Sequence, residues 1–264
     1  MKLISWNVNS LNARKQLVTM FLDAVAPDVL CIQELKLPDD RVPTDIFTER
    51  GYHVAVHGQP RWNGVLIASK APLADVHKGL PDGDEGQSRL IAATVDGVRI
   101  VNLYCPQGQA EDSPKFQYKL RFFDALIDWI DASAAPSDAL VVTGDINIAP
   151  RAHDIWAPDR FKNVPSFHPL EHARWNRLIE WGLIDALEPR MKPGTYTFWD
   201  YRGGAFYRNN GMRIDHFLVT DPINQRVASG KVHRDWRKKK TSPDGEKLTA
   251  SDHAPVEMVI SASA

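Results

Sequence analysis

The sequence is poor in cysteine and lacks any long apolar run. Cys31 and Cys105 are its only cysteines, and each lies in or beside an apolar, strand-like segment. This placement predicts two buried, reduced thiols in a cytoplasmic protein, with a disulfide between them as the alternative. No segment approaches the ~18 apolar residues that a membrane-spanning helix needs, so no membrane partner is expected.

An excess of charge of either sign is also missing. The 32 Lys and Arg residues are set against 33 Asp and Glu residues, which gives a formal net charge of −1. This balance argues against a protein that binds polyanions over its whole surface, but basic residues can still be gathered on one DNA-binding face. The first residues lack the apolar core of a signal peptide, and no repeat or low-complexity segment is found.

Hydrophobic periodicity predicts short strands and amphipathic helices in one domain, residues 1–264. The predicted strands are 2–8, 28–35, 52–56, 64–69, 90–95, 98–104, 139–143, 213–220 and 256–260. The predicted helices are 15–26, 116–132 and 171–181. Asp96 and Gly97 predict a hairpin turn between two strands. Hairpins without strict strand–helix alternation indicate packed sheets with helices outside.

Polar side chains cluster where these apolar strands begin or end. They are Asn7, Asn9, Glu34, Tyr104, Asp145, Asn147, Asp215, Asp252 and His253. Taken singly, Glu34 could be an exposed strand-end carboxylate, Asp145 a turn residue and Tyr104 a packed aromatic. The segment 251–253 could likewise be a helix cap and a surface pair. The whole set favours an active site, because a rigid sheet fixes side chains at the ends of its strands.

The chemistry of this set fits metal-assisted phosphodiester hydrolysis. Carboxylate and amide oxygens suit Mg²⁺ or Mn²⁺, whereas Zn²⁺ prefers His and Cys. Such a cation can neutralise a phosphate and stabilise a leaving alkoxide. Asp145 is expected to orient or deprotonate the attacking water. His253, made cationic by a carboxylate partner, is expected to stabilise charge on phosphorus.

Six segments follow one another along the chain: WNVN (6–9), IQELK (32–36), YCPQG (104–108), GDINIAP (144–150), RID (213–215) and SDHAP (251–255). In this order they resemble the motif set of the exonuclease III family, which belongs to the larger endonuclease–exonuclease–phosphatase superfamily. The resemblance extends from residue 2 to residue 256, and segments 52–65 and 199–202 are also similar. It implies the DNase I-like fold, a four-layer α/β sandwich of two packed β-sheets flanked by helices.

The resemblance also implies roles for individual residues. Glu34 is the main metal ligand of a set that comprises Asn7, Glu34, Asp145, Asn147 and Asp252. The implied catalytic residues are Tyr104, Asp145, Asn147, Asp215 and His253. Gln107 would contact the DNA backbone. An apolar pocket for the sugar beside the break would contain Phe198, Trp199 and Met212.

Two stretches depart from the family pattern. Ser10 stands where many members have glycine. The segment 231–248 is longer and more basic than in a bacterial member of the family, and it runs directly into Asp252 and His253. We predict that it is an exposed loop reaching DNA phosphates; a basic loop that serves only solubility is the alternative. Its predicted DNA-binding residues are Arg237, Lys238, Lys239 and Lys240.

The expected function is DNA repair on damaged or nicked double-stranded DNA by a monomeric nuclease. It would incise 5′ to abasic sites, trim 3′ ends or clean blocked 3′ ends. One alternative is a superfamily phosphatase that acts on inositol phosphates, sphingomyelin or RNA; the YxPQG and WDYR segments favour DNA instead. The other is a catalytically inactive nucleic-acid-binding regulator, which should have lost metal or water-activating residues that this sequence retains.

Overall fold

The computed structural model describes residues 1–262, in which two six-stranded sheets are the framework. The strands are β1 Lys2–Asn7, β2 Val29–Gln33, β3 His53–His57, β4 Val65–Ser69, β5 Ala74–Lys78, β6 Leu90–Val95, β7 Val98–Tyr104, β8 Leu140–Asp145, β9 Ile184–Asp185, β10 Asp215–Val219, β11 Val227–Val232, β12 Lys240–Thr241, β13 Lys247–Leu248 and β14 Val256–Ile260. The first sheet has the order β11-β14-β1-β2-β4-β3 and the second β5-β6-β7-β8-β10-β9, while β12 and β13 form a separate hairpin.

Helices cover the outer faces of both sheets. The α-helices are α1 Leu11–Val25, α2 Asp45–Thr48, α3 Pro114–Ser133, α4 Pro158–Phe161, α5 Pro169–Trp181, α6 Ala205–Arg208 and α7 Asp221–Asn224. Short 3₁₀ turns lie at Asp39–Arg41, Ala152–Asp154, Glu188–Arg190, Arg202–Gly204 and Arg234–Arg237. Within residues 1–262, none of the helices combines the length and the apolar character needed to cross a membrane.

Three apolar clusters separate the layers. Ile67 of the first sheet and Phe217 of the second belong to the cluster between the sheets. Phe21 of α1 packs on the outer face of the first sheet, and Phe123 of α3 and Trp175 of α5 pack on the outer face of the second. Both faces of each sheet are therefore buried, and the predicted four-layer sandwich is confirmed.

A buried polar bridge joins the two sheets near the carboxyl end of β2. Asn102 of β7 donates from Nδ2 to the carbonyl oxygens of Ile32 and Leu66, both at 2.9 Å. Its Oδ1 accepts from Gln33 Nε2 at 2.7 Å. Buried amides that are hydrogen-bonded across an interface favour one register, because any other leaves polar groups unpaired. This bridge fixes the end of β2 that leads into Glu34.

Strand pairing brings the predicted site residues to one edge of the sandwich. The parallel pair β1 and β2 places Asn7 opposite Gln33. In the second sheet, parallel pairing of β7 and β8 places Tyr104 opposite Asp145, and antiparallel β10 places Asp215 opposite Asp145. The carboxyl ends of two parallel strand pairs and the start of β10 therefore meet there.

The structure differs from the predicted elements mainly at exposed edges. Helix α1 begins at Leu11 rather than at residue 15, because Ser10 Oγ accepts from Ala13 N at 3.4 Å and caps the helix. Strands β5 and β11 were not predicted, since their largely exposed edge positions give no apolar alternation. The hairpin turn at 96–97 is confirmed, with positive φ at both residues.

The basic segment 231–248 is not the fully exposed loop that was predicted. It contains the end of β11, a 3₁₀ turn and the β12–β13 hairpin. The ring of Trp236 packs edge-on against Phe21 of α1, with centroids 5.0 Å apart. Lys240 Nζ lies 4.4 Å from the centre of the Trp236 ring. The tryptophan therefore anchors the segment to the body of the protein and leaves its other side open.

Candidate active site

An asparagine side chain joins two carboxylates at the centre of the candidate site. Asn7 Nδ2 donates to Glu34 Oε1 at 2.8 Å and to Asp145 Oδ2 at 2.9 Å. The backbone N–H of Asn147 donates to Asp145 Oδ1 at 3.1 Å, and its side-chain amide donates to Cys105 O at 3.0 Å. Residues from both sheets are thus held in one hydrogen-bonded arrangement.

The backbone is left-handed at several of these strand ends. Glu34 has a φ of 58°, Lys36 of 57°, Asn9 of 47° and Asn147 of 57°. Positive φ is costly for residues other than glycine and concentrates at functional sites, where surrounding contacts enforce it. These turns aim the side chains inward from the strands that carry them.

His253 forms an ion pair with Asp215 beside the central carboxylates. His253 Nδ1 lies 2.9 Å from Asp215 Oδ2, and His253 Nε2 lies 3.7 Å from Asp145 Oδ2. Burial by itself lowers the pKa of His253, but the carboxylates of Asp215 and Asp145 outweigh it and raise that pKa to about 10. The pairing with Asp215 therefore favours the imidazolium form of His253 at neutral pH.

Burial changes the proton affinity of two further residues in the cluster. Burial raises the pKa of Asp145 well above its ordinary value; His253 opposes this rise and Asp215 adds to it. Burial and the charges of Glu34 and Asp145 raise the pKa of Tyr104, so its phenol stays protonated and can donate a hydrogen bond. Asp145 thus has a proton affinity suited to a base working near neutral pH.

A second group of oxygens at the site surrounds a positive charge. Lys36 Nζ lies 2.8 Å from Glu34 Oε2 and donates to Asn9 Oδ1 at 2.5 Å. Asn9 Nδ2 in turn donates to Asp252 Oδ1 at 3.1 Å. Burial raises the pKa of Glu34, but the charge and hydrogen bond of Lys36 lower it by more, so the pKa lies below its usual value. Glu34 Oε2 therefore already faces a cation, and the carboxylates of the predicted ligands Glu34 and Asp252 are of the type that suits a hard divalent ion.

The acidic residues also offer a second grouping. Asp145, Asp215 and His253 can bring one ligand atom each to within 4.8 Å of the others. In this structure Asp215 and His253 are already paired with each other. Glu34 is also engaged, through Oε1 with Asn7 and through Oε2 with Lys36, so a metal at either grouping would replace contacts that this structure shows.

Of the three residues predicted to form an apolar pocket, two are partly exposed and one is buried. The ring of Phe198 lies 5.0 Å from that of His253, and Met212 pairs with Phe198 through the backbone, both side chains being partly exposed. Trp199 is only 1% exposed and packs against Tyr196 and Phe206. The predicted DNA contact of Trp199 is therefore wrong for this geometry, because its ring supports the site from beneath.

The predicted phosphate-contacting residues lie on two sides of the cluster. Gln107 is exposed and borders, with Tyr104, a cavity of about 460 Å³. On the other side, Lys238 is paired with Asp235 at 2.5 Å, and Lys239 is exposed. Arg237 is half-buried and donates to the carbonyl oxygen of Trp199 at 3.1 Å. The structure thus brings the predicted catalytic residues together and leaves the predicted DNA-binding residues outside their hydrogen-bonded set.

Lys119 is a buried residue of the site that the sequence reasoning missed. Its ammonium donates to the carbonyl oxygen of Asn147 at 2.8 Å and to that of Gln107 at 3.3 Å, and it pairs with the buried Glu171 of α5. Its spacing from Phe116 and Phe123 places it on the apolar face of α3, which was a usable signal. Lys119 therefore ties two active-site loops to the outer helices.

We expect Lys119→Met to lower the free energy of unfolding by about 3–5 kcal/mol, because it leaves the Glu171 carboxylate buried without its partner. Chemical denaturation at pH 7 measures this loss. The double variant Lys119→Met/Glu171→Gln removes both charges and should recover most of the stability. Its activity should stay reduced, since the Asn147 and Gln107 carbonyls have still lost their donor. Full recovery of activity in the double variant would limit Lys119 to a role in stability.

Comparisons with known proteins agree with this geometry. The chain matches the Endonuclease/Exonuclease/phosphatase family over residues 4–253. It is 31% identical to exodeoxyribonuclease III of Haemophilus influenzae, an alignment that covers 97% of this chain and 98% of the relative. It resembles the structure of a 3′ phosphatase from Neisseria bound to a product DNA hairpin, with 38% identity, a TM-score of 0.92 and coverage of 99% and 100%. It also resembles the structure of an AP endonuclease from Archaeoglobus fulgidus, with 32% identity, a TM-score of 0.90 and coverage of 99% of this chain and 100% of the other.

Proposed function

The chain belongs to the Endonuclease/Exonuclease/phosphatase family, and we propose that it is a DNA-repair phosphodiesterase of the exonuclease III type. Its proposed reactions are incision at abasic sites, 3′→5′ trimming and removal of 3′ blocking groups on double-stranded DNA. Relatives named exodeoxyribonuclease III and AP endonuclease support this proposal. We further propose that it acts as a monomer in the cytoplasm, where its two buried cysteines remain free thiols.

The main support for this proposal is the hydrogen-bonded set of Asn7, Glu34 and Asp145, which lies beside the Asp215–His253 pair. In the proposed reaction Asp145 takes a proton from the attacking water, and the backbone N–H of Asn147 holds the Asp145 carboxylate in position. The imidazolium of His253 stabilises negative charge that develops on the phosphate. Tyr104 keeps its proton and can donate a hydrogen bond to a phosphate oxygen.

Glu34 would hold a divalent cation, with Asn7 and Asp252 beside it, and Mg²⁺ or Mn²⁺ suits these oxygen donors. When bound, such a cation neutralises phosphate charge and stabilises the leaving oxygen. The inactive-regulator alternative is not favoured, because the proton-accepting and charge-stabilising side chains lie together at one edge.

A panel of duplexes tests the proposal. It contains an abasic site, a nick, a recessed 3′-OH and a 3′-phosphate, each incubated with Mg²⁺ and with EDTA. We expect cleavage of at least one DNA substrate with Mg²⁺ and none with EDTA. An RNA and an inositol phosphate are incubated in parallel, and cleavage of either one with every DNA left intact would overturn the proposal.

The basic residues of segment 231–248 give a prediction on DNA affinity. Replacement of Lys238, Lys239 and Lys240 by alanine should weaken binding and flatten its dependence on salt. Each lost phosphate contact lowers the slope of log K against log salt by ~0.9 on B-DNA. Since Lys238 and Lys240 already contact Asp235 and Trp236, we expect a slope change of about one contact rather than three. Fluorescence anisotropy across a salt titration measures it.

The metal requirement of the triple variant serves as its internal control. None of the three lysines can ligate a cation, so half-maximal Mg²⁺ for cleavage should match that of the unmodified protein. Binding curves that superimpose at every salt concentration would leave the segment with a role in solubility alone.

A further inference from the structure

A pocket of about 320 Å³ lies beside the catalytic residues and has no part in the mechanism above. It opens between the segment 200–207 and the β12–β13 hairpin. Its lining combines aromatic rings with cationic side chains, namely Tyr201, Phe206, Tyr207, Arg237, Lys239 and Lys247. Aromatic faces next to unpaired cations are the combination that binds single-stranded nucleic acid, in which rings stack on bases and cations follow the backbone.

The positive charge of this pocket is not neutralised from within. In the part of the chain that the structure describes, neither Lys239 nor Lys247 has an acidic partner. Asp200, the acidic residue in the lining, is engaged by Arg202 through both of its carboxylate oxygens. Arg237 lies over the Tyr201 ring at 4.9 Å, and its Nε is buried without a hydrogen-bond partner. The pocket therefore favours an anion.

The aromatic residues leave ring surface open to solvent. Tyr207 is 80% exposed and Tyr201 is 46% exposed, although both are large rings that usually pack. The ring of Phe206 contacts that of Tyr207, with centroids 5.7 Å apart, and so holds it at the pocket margin. An exposed tyrosine face can stack on a nucleobase, but the bases of a duplex are already stacked and offer no free face. The favoured occupant is therefore an unpaired nucleotide.

The pocket adjoins the catalytic cluster. Ala250 lines it and accepts from Tyr201 Oη at 2.9 Å, and Asp252 follows only two residues later, at most about 7 Å along the chain. Arg14 donates to Tyr201 Oη at 2.8 Å and to the carbonyl oxygen of Asn9 at 2.6 Å. A DNA strand that occupies the site can thus continue into the pocket.

We propose that this pocket binds an unpaired nucleotide of the substrate, with its base stacked on Tyr207 and its phosphate near Lys239 and Lys247. This inference rests on the proposed function, since it assumes that DNA occupies the neighbouring site. It implies that the protein, through the pocket beside the β12–β13 hairpin, prefers duplex ends that carry a single-stranded extension over fully paired ends.

Binding of three DNA hairpins in EDTA, followed by fluorescence anisotropy, tests the inference. One has a blunt end, and the others carry a three-nucleotide 5′ or 3′ extension. We expect at least one extension to bind about tenfold more tightly than the blunt hairpin, which corresponds to about 1.4 kcal/mol and lies within the range of one stacked base. The ratio of the affinities for extended and blunt DNA should fall to about one in Tyr207→Ala. It should be retained in Tyr207→Phe and reduced in Lys247→Ala.

Lys70→Ala is the matched control, because Lys70 is an exposed lysine that follows β4 at the opposite end of the sheet from Glu34. It should leave the ratio unchanged. A ratio near one in the unmodified protein, or an equal loss of blunt and extended DNA in Tyr207→Ala, would overturn the inference. Affinity for the blunt hairpin and its cleavage with Mg²⁺ report separately on the proposed function.

Discussion

Replacement of Asp145 by asparagine is expected to reduce DNA cleavage by about 10²–10⁴-fold while leaving the fold and DNA binding intact. A positioned general base contributes a factor of this size. Asparagine conserves the shape of the side chain and can still accept from Asn7 Nδ2, which donates to Asp145 Oδ2 at 2.9 Å. It cannot take a proton from water. Single-turnover cleavage with Mg²⁺ measures the loss, and anisotropy in EDTA measures binding.

The matched control for this variant is Asp96→Asn. Asp96 lies in the exposed turn before β7, at the end of that strand opposite Tyr104, and its positive φ is readily adopted by asparagine. This change removes one carboxylate without touching the site and should leave cleavage unchanged. Turnover of Asp145→Asn within threefold of the control would move water activation to another group.

Much of the fold was predictable because its signals are local. Strand β14 was predicted at 256–260 as observed, since each of its residues is buried or nearly so and all of them except Glu257 are apolar. The turn at 96–97 follows from residue types that accept positive φ. Edge strands such as β5 were not predicted, because an exposed strand that is stabilised by pairing carries no apolar pattern of its own.

The candidate site shows the same division between local and tertiary information. Glu34, Asp145 and Asp215 were predicted because they are polar residues at strand ends. Their spacing along the chain does not show that Asn7 bridges Glu34 and Asp145. The left-handed backbone at Glu34 and the inward ammonium of Lys119 are imposed by neighbours distant in sequence. Trp199 was misplaced for the converse reason, since an aromatic residue beside a site is as well suited to support it as to line it.

Replacement of Asp215 by asparagine should impair the role of His253 and change the pH dependence of cleavage. The two carboxylates near His253 raise the pKa of its imidazole to about 10 despite burial. Loss of the Asp215 charge should lower that pKa by about 1–3 units. The imidazolium is the active form, so the alkaline limb of kcat/KM against pH should move to lower pH by the same amount. At pH 8 we also expect a loss of about 10²–10³-fold, because a preorganised group that stabilises transition-state charge is weakened.

Two measurements separate this role from a merely structural one. The ¹⁵N chemical shifts of the His253 ring, followed from about pH 5 to about pH 11, report its pKa directly in the unmodified protein and in Asp215→Asn. Asp215→Glu, which keeps the negative charge, should restore the high pKa even if its longer side chain lowers the rate. If Asp215→Asn slowed cleavage while the alkaline limb and the ring shifts stayed in place, Asp215 would act by positioning alone. A parallel fall in both would show that its charge, carried by the hydrogen bond at 2.9 Å, keeps His253 protonated for catalysis.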